Sequence, residues 1–211
     1  GMMASPTEMA AAYATLANGG TYNEAHMVRK IVYKNEDKTI KAKVQTHQPL
    51  SPQAAYMTSD LLYRAIFGKD SGWNLMSRLG FGAYPVYGKT GTSDWADDAW
   101  KYGGPMKDEW MINYTSEYTI ATWSGFDSGI EGKPTYISEE ILNANIPGWI
   151  NKYMLDSIAT GNEHMISSPG GISSYGGGMI KSEWLATAKQ NNPLTIANSK
   201  TNNKALKSAV S

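Results

Sequence analysis

The chain has 211 residues, 41% of them hydrophobic, and its 19 Lys and Arg side chains balance 19 Asp and Glu side chains. This length allows one large domain, or one domain with an appendage, and zero net charge gives no overall field to attract nucleic acid or an anionic membrane surface. The absence of Cys excludes disulfides and thiolate metal sites, and the three His residues lie far apart in the sequence, so we expect neither a metal nor a cofactor.

The first predicted element is a helix at about residues 5–17. Ser5 is suited to the N-cap, Pro6 to the first helical position, and Glu8 completes a capping box. The glycines of "NGG" at 18–20 predict its end, because glycine readily adopts the left-handed cap conformation.

A hairpin of two short strands is predicted next, from "HMVRKIVY" and "TIKAKV" separated by the polar run "KNEDK". A second helix is predicted at about 52–67, with Ser51 as N-cap and Pro52 in its first turn. The run "YPVYGKTGTSD" then predicts an extended strand that ends in turn residues, and residues 94–108 are predicted to form a loop.

Two β-rich runs, "EWMINYT" and "YTIATWSGF", predict a second hairpin, with Trp123 and Phe126 as apolar anchors. Pro147 is suited to open a helix that Gly161 would end. The order of helix, hairpin, helix, strand, hairpin and helix predicts an α+β fold, an antiparallel sheet with helices packed on it. We expect the strand around Lys89 to lie beside the second hairpin.

The composition changes near residue 165, beyond which Gly, Ser and Asn predominate and one small apolar cluster, "MIKSEWLATA", occurs. Such composition indicates a linker followed by a weakly cored segment. We therefore predict a main domain at 1–164 and a linker with a C-terminal appendage at 165–211.

The run "YGKTGTSDW" carries the main candidate site residues. On a strand, Thr90 and Thr92 point to the same face, Gly91 leaves the backbone open to a ligand, and Lys89 adds a flexible cation. Hydroxyl, ammonium and backbone N–H groups suit a carboxylate or an oxyanion. So short a pattern is nevertheless more often a turn that binds nothing.

Three stretches together resemble the transpeptidase domain of class A penicillin-binding proteins of the streptococcal, Gram-positive type. They are "SPTEMAAAYATLANGGTY", "GKTGTSD" and "DEWMINYTSEYTIATWSGFD", which occur in family order over residues 3–127; Lys-Thr-Gly is a signature of penicillin-binding proteins and β-lactamases. Asn113 replaces a family glycine, Ser116 replaces a proline, and the 94–108 segment is longer than usual. The implied fold is the penicillin-binding transpeptidase fold.

The resemblance implies roles for the strand. Thr90 and Thr92 would bind the carboxylate of a terminal D-Ala or of a β-lactam, beside the open backbone of Gly91. The N–H group of Thr92 would supply half of an oxyanion hole, and Lys89 would supply positive potential. The implied reaction is transpeptidation through a serine acyl-enzyme.

The family's nucleophile motif, Ser-x-x-Lys, and its Ser-x-Asn motif are not found before Lys89. If the resemblance holds, both lie on an upstream half of the domain or on a companion chain. The implied partners are that half, peptidoglycan stem peptides and β-lactams, at the extracellular face of a membrane reached through an N-terminal anchor outside this chain. A penicillin-binding fold that only docks cell-wall peptides or partners is the alternative.

Two other features allow a functional and a structural interpretation. Trp95, Trp100 and Trp110 could line a groove, but anchoring of the core or of a loop is the favoured interpretation. The acidic run "DWADD" at 94–98 lacks the ligand spacing of a calcium loop, so a solvated acidic turn is favoured.

Overall fold

The structure is a computed structural model that describes residues 3–68 and 75–191. The chain divides into two units, residues 1–167 and 168–211. The helices of the first unit are α1 Pro6–Ala17, α2 Pro52–Phe67, α3 Ala99–Tyr102, α4 Glu139–Ala144 and α5 Ile146–Ile158. Its strands are β1 Tyr22–Asn23, β2 Lys30–Val32, β3 Thr39–Lys41, β4 Thr46–His47, β5 Tyr87–Asp94, β6 Met106–Tyr114 and β7 Thr119–Gly125.

The two predicted N-caps are confirmed. The Ser5 backbone N–H donates to Glu8 Oε2 at 2.7 Å, and the Glu8 backbone N–H donates to Ser5 Oγ at 3.3 Å, so the capping box is complete. At the start of α2, Ser51 Oγ accepts from the Ala54 N–H at 3.2 Å, and Pro52 is the first helical residue. Local side-chain chemistry therefore sets the start of both helices.

The α+β prediction is confirmed, as is the place of β5 beside the second hairpin. Strands β5, β6 and β7 form an antiparallel sheet in that order. The first predicted hairpin is present as β2 and β3, with three residues in each strand, and β1 pairs with β4 in a further two-stranded sheet.

The loop prediction for residues 94–108 is wrong in part. Residues Ala96–Asp98 form a 3-10 turn that leads into α3, and β6 begins at Met106 rather than at Glu109. An ion pair of 2.7 Å between Asp98 and Lys101 accompanies this turn. A helix of four residues has almost no intrinsic stability, so its formation depends on tertiary contacts that sequence periodicity does not report.

Helices pack against both faces of the three-stranded sheet. On one face, Leu155 of α5 belongs to the same buried cluster as Met111. On the other face, Leu16 of α1 and Ala55 of α2 cluster with Tyr87 and Tyr114. The alternation of side chains along β5 and β6 thus divides the core into two layers, with the sheet between them.

The second unit contains the strands β8 Ile172–Tyr175 and β9 Gly178–Lys181 and the helix α6 Leu185–Gln190. Gly176 and Gly177 both have positive φ angles, of 60° and 82°, which permits the tight turn between the strands. The Tyr175 hydroxyl donates to the Ala188 carbonyl at 2.9 Å. The predicted appendage extends past residue 191, and that part lies outside the described residues. Every helix of the described ranges is too short or too polar to cross a membrane.

Candidate functional site

Strand β5 carries the predicted site residues and lies at an edge of its sheet. Its register with β6 pairs Thr90 with Met111 and Thr92 with Glu109. Within residues 3–68 and 75–191, β6 is the only strand that pairs with β5. The opposite edge of β5 can therefore offer backbone N–H and C=O groups to an extended ligand.

The four site residues divide between the two faces of β5. Alternation places Thr90 and Thr92 on one face and Lys89 and Gly91 on the other. Lys89 and Thr92 are exposed, whereas Thr90 and Gly91 are half-buried. Lys89 Nζ donates to the Thr90 carbonyl at 2.7 Å, so the ammonium group lies against the strand backbone. Neither threonine hydroxyl has a hydrogen-bond partner in the described part of the chain.

The tryptophans near β5 act mainly as anchors. Trp95 Nε1 donates to the Thr135 carbonyl at 2.7 Å, and Trp110 packs 6.4 Å from Trp123, measured between ring centroids. A Cβ atom on Gly91 would lie 3.2 Å from the Trp110 Cβ, so glycine permits close packing of the two strands here. The anchor interpretation is confirmed for Trp95 and Trp110, but it is wrong for Trp100, which is 74% exposed.

Asp108 joins all three strands on the Lys89 face. Its Oδ2 accepts a hydrogen bond from Ser93 Oγ of β5, and its Oδ1 accepts one from Trp123 Nε1 of β7 at 2.9 Å. The Lys107 ammonium lies 4.0 Å from the same carboxylate. These contacts hold the end of β5 in place next to Thr92.

Glu109 is a candidate that the sequence analysis missed. It lies opposite Thr92 on the central strand and is only 3% exposed. Neither of its carboxyl oxygens has a hydrogen-bond partner among the described residues. Burial raises the pKa of this carboxyl to about 7. The sequence signal that could have identified Glu109 was its charge within "EWMIN", a run otherwise typical of a buried strand.

At the other end of the β5–β6 pair, Gly88 faces Asn113. A Cβ atom on Gly88 would lie 2.4 Å from Asn113 Nδ2 and 2.9 Å from Met76 Sδ, so any larger residue would force these groups apart. Asn113 stands where the resembling family has glycine, and its side chain occupies the space above Gly88. Asn113 in place of the family glycine thus adds a side-chain amide to the core next to Gly88 of β5.

A cavity of about 450 Å³ lies elsewhere in the first unit. Its lining includes Tyr84, whose hydroxyl donates to Asp156 at 2.7 Å, and Lys152, which pairs with the same carboxylate at 2.8 Å. Its described lining contains no residue of β5. This cavity is thus separate from the candidate site on β5.

The acidic run at 94–98 forms local contacts. Asp94 Oδ1 accepts from the Ala96 backbone N–H at 3.0 Å, and Asp98 pairs with Lys101. No group of three His, Cys, Asp or Glu side chains suited to a metal occurs in the ranges that the structure describes.

Comparison with known families decides the identity of the fold. The profile of the family described as "Penicillin binding protein transpeptidase domain" matches residues 1–127, which is more than half of the chain. The chain belongs to this family. The penicillin-binding transpeptidase match includes all of β5, β6 and β7, and therefore Lys89, Thr90, Gly91 and Thr92.

Curated relatives agree with this assignment. The chain is 32% identical over 140 residues to penicillin-binding protein 1A/1B of Bacillus subtilis, covering 64% of this chain and 15% of the relative. It is 33% identical over 171 residues to penicillin-binding protein 1A of Clostridium acetobutylicum, covering 81% and 18%. For penicillin-binding protein 1A of Streptococcus oralis the identity is 31% over 153 residues, covering 67% and 22%. The chain therefore spans about a fifth or less of each of these relatives.

Solved structures with a similar chain path include penicillin-binding protein A from M. tuberculosis in an imipenem acyl-enzyme complex. That similarity has a TM-score of 0.48 at 17% identity and covers 72% of this chain and 31% of that chain.

Proposed function

We propose that this chain is part of a serine D,D-transpeptidase that cross-links peptidoglycan stem peptides and is acylated by β-lactams. The observation that carries the proposal is the Lys-Thr-Gly-Thr run on an edge strand, with two adjacent threonine hydroxyls that lack hydrogen-bond partners within the described residues. Membership in the penicillin-binding protein transpeptidase domain family supports it.

In this proposal, Thr90 and Thr92 donate hydrogen bonds to the carboxylate of a terminal D-Ala or of a β-lactam. The Thr92 backbone N–H polarises the scissile carbonyl as half of an oxyanion hole, and removal of one such donor costs on the order of 10²–10³ in rate. Lys89 supplies positive potential from the opposite face of β5. The ammonium contact with the Thr90 carbonyl would open to bring this charge to the reacting groups.

The nucleophilic serine and its base belong, in this proposal, to the Ser-x-x-Lys segment of the complete protein, either upstream or on a companion chain. The serine oxygen attacks the carbonyl carbon of the penultimate D-Ala, the terminal D-Ala leaves with a proton, and an amine of a neighbouring stem peptide then displaces the serine. The complete protein would work at the extracellular face of the membrane. Its partners would be stem peptides and β-lactams, and the reaction would use no cofactor, metal or nucleic acid.

The test is acylation of the complete protein by a penicillin and by its methyl ester. Thr92→Ala removes a donor to a charged acceptor, worth roughly 1.5–3 kcal/mol, so we expect acylation by the acid to slow by about 10–100-fold. Thr92→Ser keeps the hydroxyl and should lose less. The ester carries no charge, so its acylation should change far less. The measurement is the second-order rate constant for each pair.

Ser93→Ala is the matched control, because it removes a hydroxyl from the opposite face of β5 and, through the lost contact with Asp108, can loosen the strand for both ligands alike. It should not distinguish the acid from the ester. Equal losses for both ligands on Thr92→Ala would contradict recognition of the carboxylate by this strand. If the complete protein forms no covalent adduct with a fluorescent penicillin, the module that only docks peptides would replace the enzyme.

A further inference from the structure

Glu109 is a buried acidic residue on the same face of the sheet as the proposed ligand-binding hydroxyls of Thr90 and Thr92. It pairs with Thr92 across β5 and β6, and with Ser124 across β6 and β7. Side chains that pair in this way on one face have Cβ atoms about 4.5–5.5 Å apart. With a hydrogen bond of about 2.7 Å from the Thr92 hydroxyl to a ligand, a bound carboxylate would lie roughly 8 Å from the Glu109 carboxyl.

The surroundings offer Glu109 little compensation. Both carboxyl oxygens are buried and have no hydrogen-bond partner in the described part of the chain. A carboxylate in such a place costs free energy, since burial removes its hydration and no described donor replaces it. Burial is accordingly the cause that raises its pKa to about 7, which puts its titration in the neutral range.

Charged groups on the same face lie on β5 and β6. Lys107 shares the alternation of Glu109, but its ammonium is placed 5.1 Å from the centre of the Trp95 ring and 4.0 Å from Asp108 Oδ2. Asp94, at the irregular end of β5, accepts from the Ala96 N–H.

The charged groups that α5 brings to this layer are paired with each other: Lys152, over the Phe81 ring, lies 2.8 Å from Asp156. On β7, the residues of the same face are Ile120, Thr122 and Ser124, all uncharged, and α5 presents the uncharged Asn151 and Leu155 to the sheet. No cation among these neighbours is hydrogen-bonded to Glu109, so its charge state depends chiefly on pH.

We propose that Glu109 is a specificity-determining residue of this site, which admits a carboxylate ligand to Thr90 and Thr92 when its own carboxyl is neutral and repels that ligand when ionised. The inference rests on the proposed function of β5. Two like charges about 8 Å apart, at an effective dielectric constant of about 20, repel enough to weaken binding of the carboxylate ligand about 30-fold. The ligand concerned is the acidic end of a stem peptide or of a β-lactam.

The experiment measures acylation of the complete protein by benzylpenicillin and by its methyl ester between pH 6 and pH 8. The ratio of the two rate constants removes the pH dependence that both ligands share. In the wild type we expect this acid-to-ester ratio to fall about 5–10-fold as pH rises through about 7. Glu109→Gln, which keeps the shape and removes the charge, should give a flat ratio at the value that the wild type has at pH 6.

Glu117→Gln is the matched control, because it makes the same change at an exposed position in the turn between β6 and β7. Its ratio should fall as the wild-type ratio does. Coincident profiles for the wild type and Glu109→Gln, with acylation intact, would overturn the inference and leave the proposed function standing. No acylation by either ligand at any pH would overturn the proposed function itself. Should the Gln variant fail to fold, Glu109→Ala must give the same flat ratio.

Discussion

The two ends of the β5–β6 pair are built differently. At the inner end, formed by residues 87–89 and 112–114, the Tyr87 and Tyr114 rings stack 5.0 Å apart and both side chains are buried. At the outer end, formed by residues 91–94 and 106–110, Thr92 is exposed and Glu109 is buried without a hydrogen-bond partner in the described ranges. One pair of strands thus contains a packed aromatic end and an end with an exposed threonine opposite a buried carboxyl.

Apart from Lys89, the inner end packs the core, whereas the outer end carries Thr92 of the proposed site. The tyrosines of the inner end bury apolar rings and use their hydroxyls: Tyr114 donates to Ser59 Oγ at 2.9 Å, and Tyr87 Oη accepts from the Ile166 N–H at 2.9 Å. At the outer end a whole carboxyl, that of Glu109, is buried without a described partner, whereas at the inner end only the Asn113 Nδ2 group is; a buried ionisable group of this kind is typical of sites that bind or react. A rigid inner end would hold the outer end in a fixed geometry.

The largest expected effect is on the layer between the inner end and α5. Asn151 is fully buried, and its Nδ2 donates to the Met111 carbonyl at 2.9 Å and to Asn113 Oδ1 at 3.0 Å, while its Oδ1 accepts from Thr122 Oγ1 at 2.6 Å. Asn151→Ala leaves the buried Met111 carbonyl and Asn113 side chain and the half-buried Thr122 hydroxyl without this partner, and it should lower the free energy of unfolding by about 3–4 kcal/mol. The measurement is urea unfolding followed by tryptophan fluorescence.

Ser157→Ala is the control on the same helix. Its exposed hydroxyl donates only to the Tyr153 carbonyl of its own helix, so we expect a change within about 0.5 kcal/mol. A loss below about 1 kcal/mol for Asn151→Ala would show that this amide does not stabilise the inner end.

The sequence predicted those parts of the fold that depend on neighbouring residues. Ser51 followed by Pro52 set the start of α2, and two β-rich runs joined by a short connection indicated the hairpin of β6 and β7, because caps and strand propensity are local. The partners of Asn151 and the burial of Glu109 were not predicted. Both depend on which element covers a given face of the sheet, and that arrangement is decided by contacts between residues far apart in the chain. The site strand itself was found through its motif, not through its periodicity.

The second effect concerns the outer end and depends on pH. The pKa of Glu109 is about 7 in the folded protein and about 4.5 when the side chain is exposed, so folding favours the neutral carboxyl. Stability from this group is therefore complete below about pH 4.5, falls as pH rises towards 7, and stays low above it. Glu109→Gln should raise the free energy of unfolding by about 2–3 kcal/mol at pH 8 and change it little at pH 4.

Urea unfolding of both proteins at the two pH values measures this difference. The Glu117→Gln control should show the same small effect at pH 4 and at pH 8. A pH-independent gain in Glu109→Gln would mean that the carboxyl is not held neutral by burial.

The smallest effect tests whether side chains are coupled at the inner end and independent at the outer end. Burial raises the pKa of the Tyr114 hydroxyl, which therefore stays protonated and donates to Ser59. Tyr114→Phe and Ser59→Ala each remove this hydrogen bond. The double variant should therefore lose about 1 kcal/mol less free energy of unfolding than the sum of the two single losses. In the matched cycle, Thr92→Ala and Glu109→Gln should be additive at pH 6 within about 0.5 kcal/mol, since no hydrogen bond joins these two side chains. One cycle thus probes the buried hydroxyl pair of Tyr114 and Ser59, and the other probes the cross-strand neighbours Thr92 and Glu109. Equal coupling energies in the two cycles would mean that the two ends do not differ in their side-chain interactions. A coupling confined to Tyr114 and Ser59 would mean that Thr92 can bind a ligand without giving up an interaction with Glu109.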